Sequence, residues 1–148
     1  MKERRKQMSF TPKTPYLTTD GIVEIYDKDE NFLGIVLIER KYPPLGFALP
    51  GGFVDVGERV EDALVREMQE EISLDVAITE LLGIYSDPSR DPRFHTASAV
   101  YIAKAHDLPK AADDAKEVHL LHPKEIDLSK LVFDHAKILQ DYFKKRGF

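Results

Sequence analysis

Residues 51–74 read Gly51-Gly52-Phe53-Val54-Asp55-Val56-Gly57-Glu58-Arg59-Val60-Glu61-Asp62-Ala63-Leu64-Val65-Arg66-Glu67-Met68-Gln69-Glu70-Glu71-Ile72-Ser73-Leu74. The four-residue spacing of Leu64, Met68 and Ile72 predicts a helix over 59–72. At about 100° per residue, Glu67, Glu70 and Glu71 fall within about 100° of one another, with the small Ala63 on the same side. Leu64, Val65, Met68 and Ile72 form an apolar stripe about 115° away. One face is expected to enter the core and the neighbouring one to present three carboxylates. Like charges so placed repel by a few tenths of a kcal/mol per pair. A hard divalent cation such as Mg²⁺ or Mn²⁺, which takes oxygen ligands, offsets that repulsion. A solvated acidic face, with Arg66 pairing Glu70 across one turn, meets the same spacing. The segment in front favours a site: Pro50, Gly51 and Gly52 place backbone without side chains just before the acidic helix, with Glu58 at its start. Glycine lets carbonyl and N–H groups approach a ligand closely.

Outward from this helix, strands are expected on both sides. Residues 21–26 and 34–39 are rich in β-branched side chains and flank a polar turn at 27–31. Residues 41–46, with Pro43, Pro44 and Gly46, form a loop, and 47–49 a short strand stopped by Pro50 and the two glycines. Beyond the helix, 81–86 and 96–105 read as strands, the second long and apolar, with a loop rich in Pro, Asp and Arg between them. A further strand is expected at 118–121. A closing amphipathic helix at 134–145 is expected to bury Ile138, Leu139, Tyr142 and Phe143. Strands around one central helix, with a second helix at the end, mean α/β or α+β. Residues 1–15, with a charge cluster and two prolines, read as a loose leader or an arm docking on a partner. They precede a single domain over 16–148.

A chain of 148 residues holds one sizeable core. Its 43% hydrophobic and 32% charged residues are an ordinary globular composition. The net charge of -5 argues against a broad basic face for nucleic acid. It leaves room for a phosphate pocket, which needs only a few local cations. With no cysteine, disulfides and thiolate metal sites are excluded. The basic start is not followed by the apolar segment a signal peptide needs, and no apolar run approaches the roughly 20 residues of a membrane span. The expectation is a cytoplasmic protein with neither a nucleic-acid nor a membrane partner.

The glycine loop and acidic helix together resemble the Nudix family. Its signature is a glycine, five residues, a glutamate, seven residues, Arg-Glu, an aliphatic, any residue, Glu-Glu, any residue, glycine and an aliphatic. Gly52, Glu58, Arg66-Glu67-Met68, Glu70-Glu71 and Leu74 stand at those positions, and Ser73 stands where the family usually has glycine. A glycine there would serve as a helix cap with positive φ, so serine alters the turn by about 1 kcal/mol and removes no ligand. The resemblance implies an α/β/α sandwich around a central mixed sheet, and metal-assisted hydrolysis of a diphosphate with Mg²⁺ or Mn²⁺. It implies that Glu67, Glu70 and Glu71 bind the metal, with the Gly52 carbonyl completing the site. Arg66 would orient the glutamates, and Glu58 would be an outer carboxylate or a ligand through water. An acidic residue before the last strand would supply a further ligand or general base, with Asp113 and Glu117 as candidates. A solvated acidic loop is the alternative there.

The loop Ser86-Asp87-Pro88-Ser89-Arg90-Asp91-Pro92-Arg93-Phe94-His95 holds two arginines and a histidine between prolines. Arginine forks suit phosphate and carboxylate, and pairing with Asp87 or Asp91 in a rigid loop would use the same residues. This loop, residues 48–54 and Phe133-Asp134-His135-Ala136 resemble small ADP-ribose pyrophosphatases of the family. That resemblance, which runs from about Gly21 onward, implies a small nucleotide substrate, ADP-ribose or a related sugar nucleotide, with AMP and ribose 5-phosphate as the products from ADP-ribose. Arg40 at a strand end meets a phosphate or ribose, or is a surface charge. Gly51 and Gly52 offer backbone to the substrate, while Phe47 or Phe53 stacks on adenine or belongs to the core. His95 donates to a phosphate or holds its loop. The rival enzyme is a house-cleaning nucleoside triphosphate pyrophosphatase; the rival outside enzymes is a non-catalytic ADP-ribose-sensing module. Non-catalytic relatives tend to lose the glutamates of the signature, and this chain keeps them all. The resemblance also allows a homodimer, with residues 1–15 crossing between subunits.

Overall fold

In the computed structural model, which describes residues 9–112 and 115–148 without the Lys116 side chain, the β-branched runs form strands longer than their sequence limits. Strand β1 spans Tyr16–Tyr26 and β2 Phe32–Arg40. The Asp27 carboxylate closes the turn between them by accepting the N–H groups of Asp29 and Asn31. There follow β3 (Phe47–Ala48), β4 (Gly51–Phe53), α1 (Val60–Ile72), β5 (Ala77–Tyr85), β6 (Thr96–Ala105), β7 (Ala115–Leu121) and α2 (His135–Arg146). The strands form one mixed sheet in the order β3-β2-β1-β6-β5, with β4 on β1 and β7 on β2. Strands β1 and β6 run parallel, from Tyr16 opposite Thr96 to Ile25 opposite Ala105. The other pairs are antiparallel.

Alternation along β2 assigns the two faces. Val36 and Ile38 join Leu64, Met68 and Ile72 of α1 in one apolar cluster. Ile35 and Leu37 join Ile138, Leu139 and Tyr142 of α2 in the other. A helix on each face makes the α/β/α sandwich, and the central strands β1 and β6, covered on both sides, bury apolar side chains together with the polar Thr19, Asp20, Glu24, Thr96 and Ser98. Full burial of Leu64, Met68 and Ile72 contributes about 1.5–3 kcal/mol each and fixes the rotation of α1. The expected stripe needs one correction: Val65 is 38% exposed, and Ala63 sits in the core instead. On the helical wheel Glu71 lies only about 20° from Leu64. Rotating the stripe inward therefore carries Glu71 with it, to 7% exposure.

Two strands depart from the expected limits for identifiable reasons. Strand β5 begins at Ala77 rather than 81, and register shifts at Ile78/Glu80 and Leu81/Gly83 hide its alternation. Residues 51–53, read as loop, form β4 on the edge of β1, with Gly52 opposite Thr19. Residues 9–15 are exposed and carry no regular element, and residues 1–8 of the expected arm lie outside the described residues. Among the described residues, no helix is long and apolar enough to cross a membrane.

The end of α1 is where the signature departs from glycine. Ser73 takes φ 59° and ψ 37°, and its N–H bonds the Met68 carbonyl. The N–H groups of Ala112 and Lys110 reach the carbonyls of Glu71 and Ile72 at 3.0 and 2.9 Å, so the loop before β7 satisfies acceptors that the helix leaves open. A non-glycine residue in the left-handed region costs about 1–2 kcal/mol, and glycine returns part of the gain as unfolded-state entropy. Ser73→Gly should therefore stabilise the chain by about 0.5–1 kcal/mol, raising the melting temperature by roughly 1–4 °C. A lower melting temperature would show that the serine side chain itself supports the turn.

Candidate active site

Packing of α1 under the sheet brings its acidic face against the glycine strand. The Gly51 N–H donates to Glu71 Oε2 at 3.1 Å. The Gly21 N–H holds the Pro50 carbonyl at 2.9 Å, and the Leu49 N–H donates to Nδ1 of His135 at 2.9 Å. The glycine segment is thus pinned at three points rather than mobile. A Cβ at Gly51 would lie 2.2 Å from the Thr19 carbonyl oxygen, which excludes a side chain there, and one at Gly52 would lie 2.5 Å from the Glu67 carboxylate and displace it. Burial raises the Glu71 carboxyl to about 8 against the Gly51 hydrogen bond, with Glu67 and Asp20 adding to the rise. Burial also raises Glu67. Carboxylates crowded and desolvated in this way, beside a half-buried glycine backbone, fit a hard divalent cation.

Arg66 binds the acidic groups from behind. Its Nε and Nη2 donate to the two oxygens of Glu58 at 2.7 and 2.9 Å, its Nη1 to Glu67 and Glu70 at 3.0 and 3.1 Å, and Nη2 also to the Phe53 carbonyl. The arginine holds the Glu58 carboxyl down to about 2. Neither Arg66 nor Glu58 lines the cavity above the glutamates.

That cavity has a volume of about 390 Å³. Of the expected site residues it collects Glu67, Glu70, Glu71, Gly51, Gly52, Arg40, Arg90 and Arg93. Their environments differ. Arg90 is buried, donating twice to Asp134 at 3.0 and 2.8 Å and once to Thr96 at 2.7 Å. Its partner is thus Asp134, neither a neighbour in its own loop nor solvent. Arg93 pairs with Asp91 at 2.9 Å but stays 36% exposed. Arg40 donates to the Pro44 carbonyl at 2.8 Å.

Two of the described residues expected at the site, His95 and Glu117, do not line the cavity. His95 is exposed and its Nε2 lies 2.9 Å from the Ser86 carbonyl, so it holds the ends of its own loop. Glu117 sits opposite Glu39 on β2. By strand alternation it shares the face of Leu37, turned away from Ile38 and α1. There Glu39, Glu117 and His119 bring one ligand atom each within 4.8 Å of one another, on a different face from Glu67, Glu70 and Glu71 of α1. Asp113 lies outside the described residues. Of the two candidate adenine-stacking rings, Phe53 lines the cavity, whereas Phe47 packs against His119 at 5.1 Å.

The sequence reading missed Asp20 and His135 altogether as site groups. Asp20 is a cavity residue whose Oδ2 accepts from Ser98 at 2.5 Å, and burial raises it to about 6. His135 is fully buried and pushed down to about 3, so it stays neutral and serves as the acceptor for Leu49. Asp20 lies just before the strand expected at 21–26 and has no local signal for such a role, and His135 is marked only by the resemblance of residues 133–136.

The NUDIX domain matches residues 15–142. The chain is 48% identical over 134 residues to the ADP-ribose pyrophosphatase of Methanocaldococcus jannaschii, covering 88% of this chain and 74% of that one. A MutT/nudix family protein from Enterococcus faecalis superposes with a TM-score of 0.82 at 32% identity, over 97% of this chain and 66% of that one. A bifunctional NMN adenylyltransferase/ADP ribose pyrophosphatase from Francisella tularensis, complexed with AMP and a manganese ion, gives 0.74 at 25% identity, over 97% and 45%. The chain belongs to the Nudix family, and it is a Nudix hydrolase.

Proposed function

We propose that this chain hydrolyses ADP-ribose to AMP and ribose 5-phosphate with a divalent cation, Mg²⁺ or Mn²⁺. The observation that carries the reading is one cavity lined both by Glu67, Glu70 and Glu71 and by Arg40 and Arg93. Acidic groups there suit a cation, and guanidinium groups suit the phosphates of a dianionic substrate. The similarity to a protein named an ADP-ribose pyrophosphatase supports the choice of substrate. The manganese and AMP in the Francisella structure support a divalent cation and an adenylate product.

Glu67, Glu70 and Glu71, with the Gly52 carbonyl, would hold the cation. When bound, it supplies neutralisation of the diphosphate and activation of water. Arg66 fixes Glu67 and Glu70 through direct hydrogen bonds, and the Gly51 N–H fixes Glu71. Arg40 and Arg93 bind and orient the phosphates, and Phe53 offers a ring at the cavity rim.

The test is a panel of ADP-ribose, sugar nucleotides, dinucleotides and nucleoside triphosphates with Mg²⁺ or Mn²⁺, with products separated by chromatography. ADP-ribose should give AMP and ribose 5-phosphate in equal amounts and the highest kcat/KM of the panel. Faster release of pyrophosphate from a triphosphate would replace this reading with the house-cleaning one.

A further inference from the structure

Phe133, Asp134 and His135, three consecutive residues leading into α2, touch three separate walls of the cavity. Asp134 grips Arg90 and His135 accepts from Leu49. The ring of Phe133 lies against two guanidinium groups, that of Arg40 from the end of β2 at 5.1 Å and that of Arg93 from the 86–95 loop at 5.4 Å. Arg93 lies also against Phe94, at 5.1 Å, so rings bound it from two residues. Phe133 has φ 58°, in the left-handed region that a bulky residue rarely adopts. Such conformations persist where the surroundings over-determine them, and they gather at sites where side-chain placement matters. Here the backbone conformation delivers one ring to two cationic side chains carried by different segments of the chain.

We propose that Phe133 is a positioning residue for the phosphates of the substrate, its ring holding Arg40 and Arg93 oriented toward a nucleoside diphosphate. The proposal rests on the cavity being a nucleoside diphosphate site. An arginine side chain is long and loses rotamer freedom when it binds an anion. Stacking on an aromatic face restricts that freedom beforehand. An aromatic ring attracts a guanidinium without offering the acceptor oxygens that would consume its N–H donors, so the contact does not compete with a phosphate for them. Two guanidinium groups beside one ring repel each other, and an anion placed between their donors relieves that repulsion. Phe133 thereby couples the strand end and the loop into one anion-binding unit.

The comparison is among wild type, Phe133→Leu and Phe133→Tyr. Leucine keeps apolar bulk and the same backbone demand without a ring, while tyrosine restores the ring. Calorimetric titration with inorganic pyrophosphate in Mg²⁺ should show Kd raised about tenfold in Phe133→Leu, about 1.4 kcal/mol. In Phe133→Tyr it should return to within about twofold of wild type. With ADP-ribose, KM should rise in the leucine variant by a similar factor while kcat changes far less, and melting temperatures should stay close. An unchanged pyrophosphate Kd in Phe133→Leu overturns the proposal. So does a tyrosine variant that melts normally yet binds as weakly as the leucine one, or a wild type that does not bind pyrophosphate. Weakened pyrophosphate binding in Phe133→Leu without wild-type turnover of ADP-ribose would keep this inference and remove the substrate reading. Turnover with an unchanged Kd would do the reverse.

Discussion

Glu71→Gln should lower turnover at least about 100-fold and leave the fold intact. Among the three helix carboxylates Glu71 is the most buried, at 7% exposure, and it faces Glu67, Asp20 and Arg40. Glutamine keeps the shape and keeps an oxygen to accept the Gly51 N–H, but it carries no charge for a hard cation. A loss of about 100-fold is about 2.7 kcal/mol, the scale seen when one charge-stabilising group is removed from an active site. Stability in metal-free protein provides a separate readout. The folded carboxyl titrates near 8, above its ordinary 4.5, so the folded state holds this proton more tightly than the unfolded one. That contribution is complete below about 4.5 and is lost as pH rises through 8. Wild type should therefore lose stability over that window relative to Glu71→Gln, which has no proton to release there, and added Mg²⁺ should close the gap. Near-normal turnover of the variant with Mg²⁺ would remove Glu71 from the metal site.

The helix was legible because its signals agree. Apolar residues at four-residue spacing, glutamates beside them and glycines in front fix its limits and its chemistry together. What the wheel understated was depth. The sequence reading put Glu71 on a face next to the core, whereas the Leu64 and Met68 stripe draws it inside, and that depth sets its proton affinity. Pairing across the sheet was less legible. Gly51–Phe53 has no side-chain pattern that marks a strand, and it becomes one because β1 offers an edge and its backbone at Thr19 and Asp20 leaves room only for hydrogen at Gly51. Glu117 was read as loop ahead of a strand at 118–121, whereas the strand starts at Ala115 and tertiary pairing with Glu39 decides the face Glu117 takes. The partners of the loop arginines were out of reach for the same reason. Local proximity nominated Asp87 and Asp91, and Arg93 does pair with Asp91. Arg90 instead meets Asp134, 44 residues along the chain.

That pairing gives Asp134→Asn the largest expected effect on stability. The Arg90 side chain is 4% exposed and Asp134 17%, with two hydrogen bonds between them. Asparagine keeps the volume and one accepting oxygen but removes the countercharge, leaving a buried guanidinium whose hydrogen-bond partners, that oxygen and Thr96, are both neutral. Removing one member of a buried ion pair costs about 3–5 kcal/mol, mainly through the charge left behind. The melting temperature should fall by about 10 °C. Replacing both residues with apolar ones of similar size removes the stranded charge as well, so Arg90→Met with Asp134→Leu should melt above Asp134→Asn alone. Because the pair supports the cavity wall without presenting a free cation, Asp134→Asn should lower kcat/KM for ADP-ribose and for a deoxynucleoside triphosphate by similar factors. Arg93→Ala is the contrast. Its side chain is 36% exposed in the cavity, and losing a charged donor to phosphate costs about 1.5–3 kcal/mol, a drop of roughly 10- to 150-fold for ADP-ribose and less for the triphosphate. A melting temperature for Asp134→Asn within about 2 °C of wild type, with a loss confined to ADP-ribose, would reverse these assignments and make Arg90 the residue that reads the substrate.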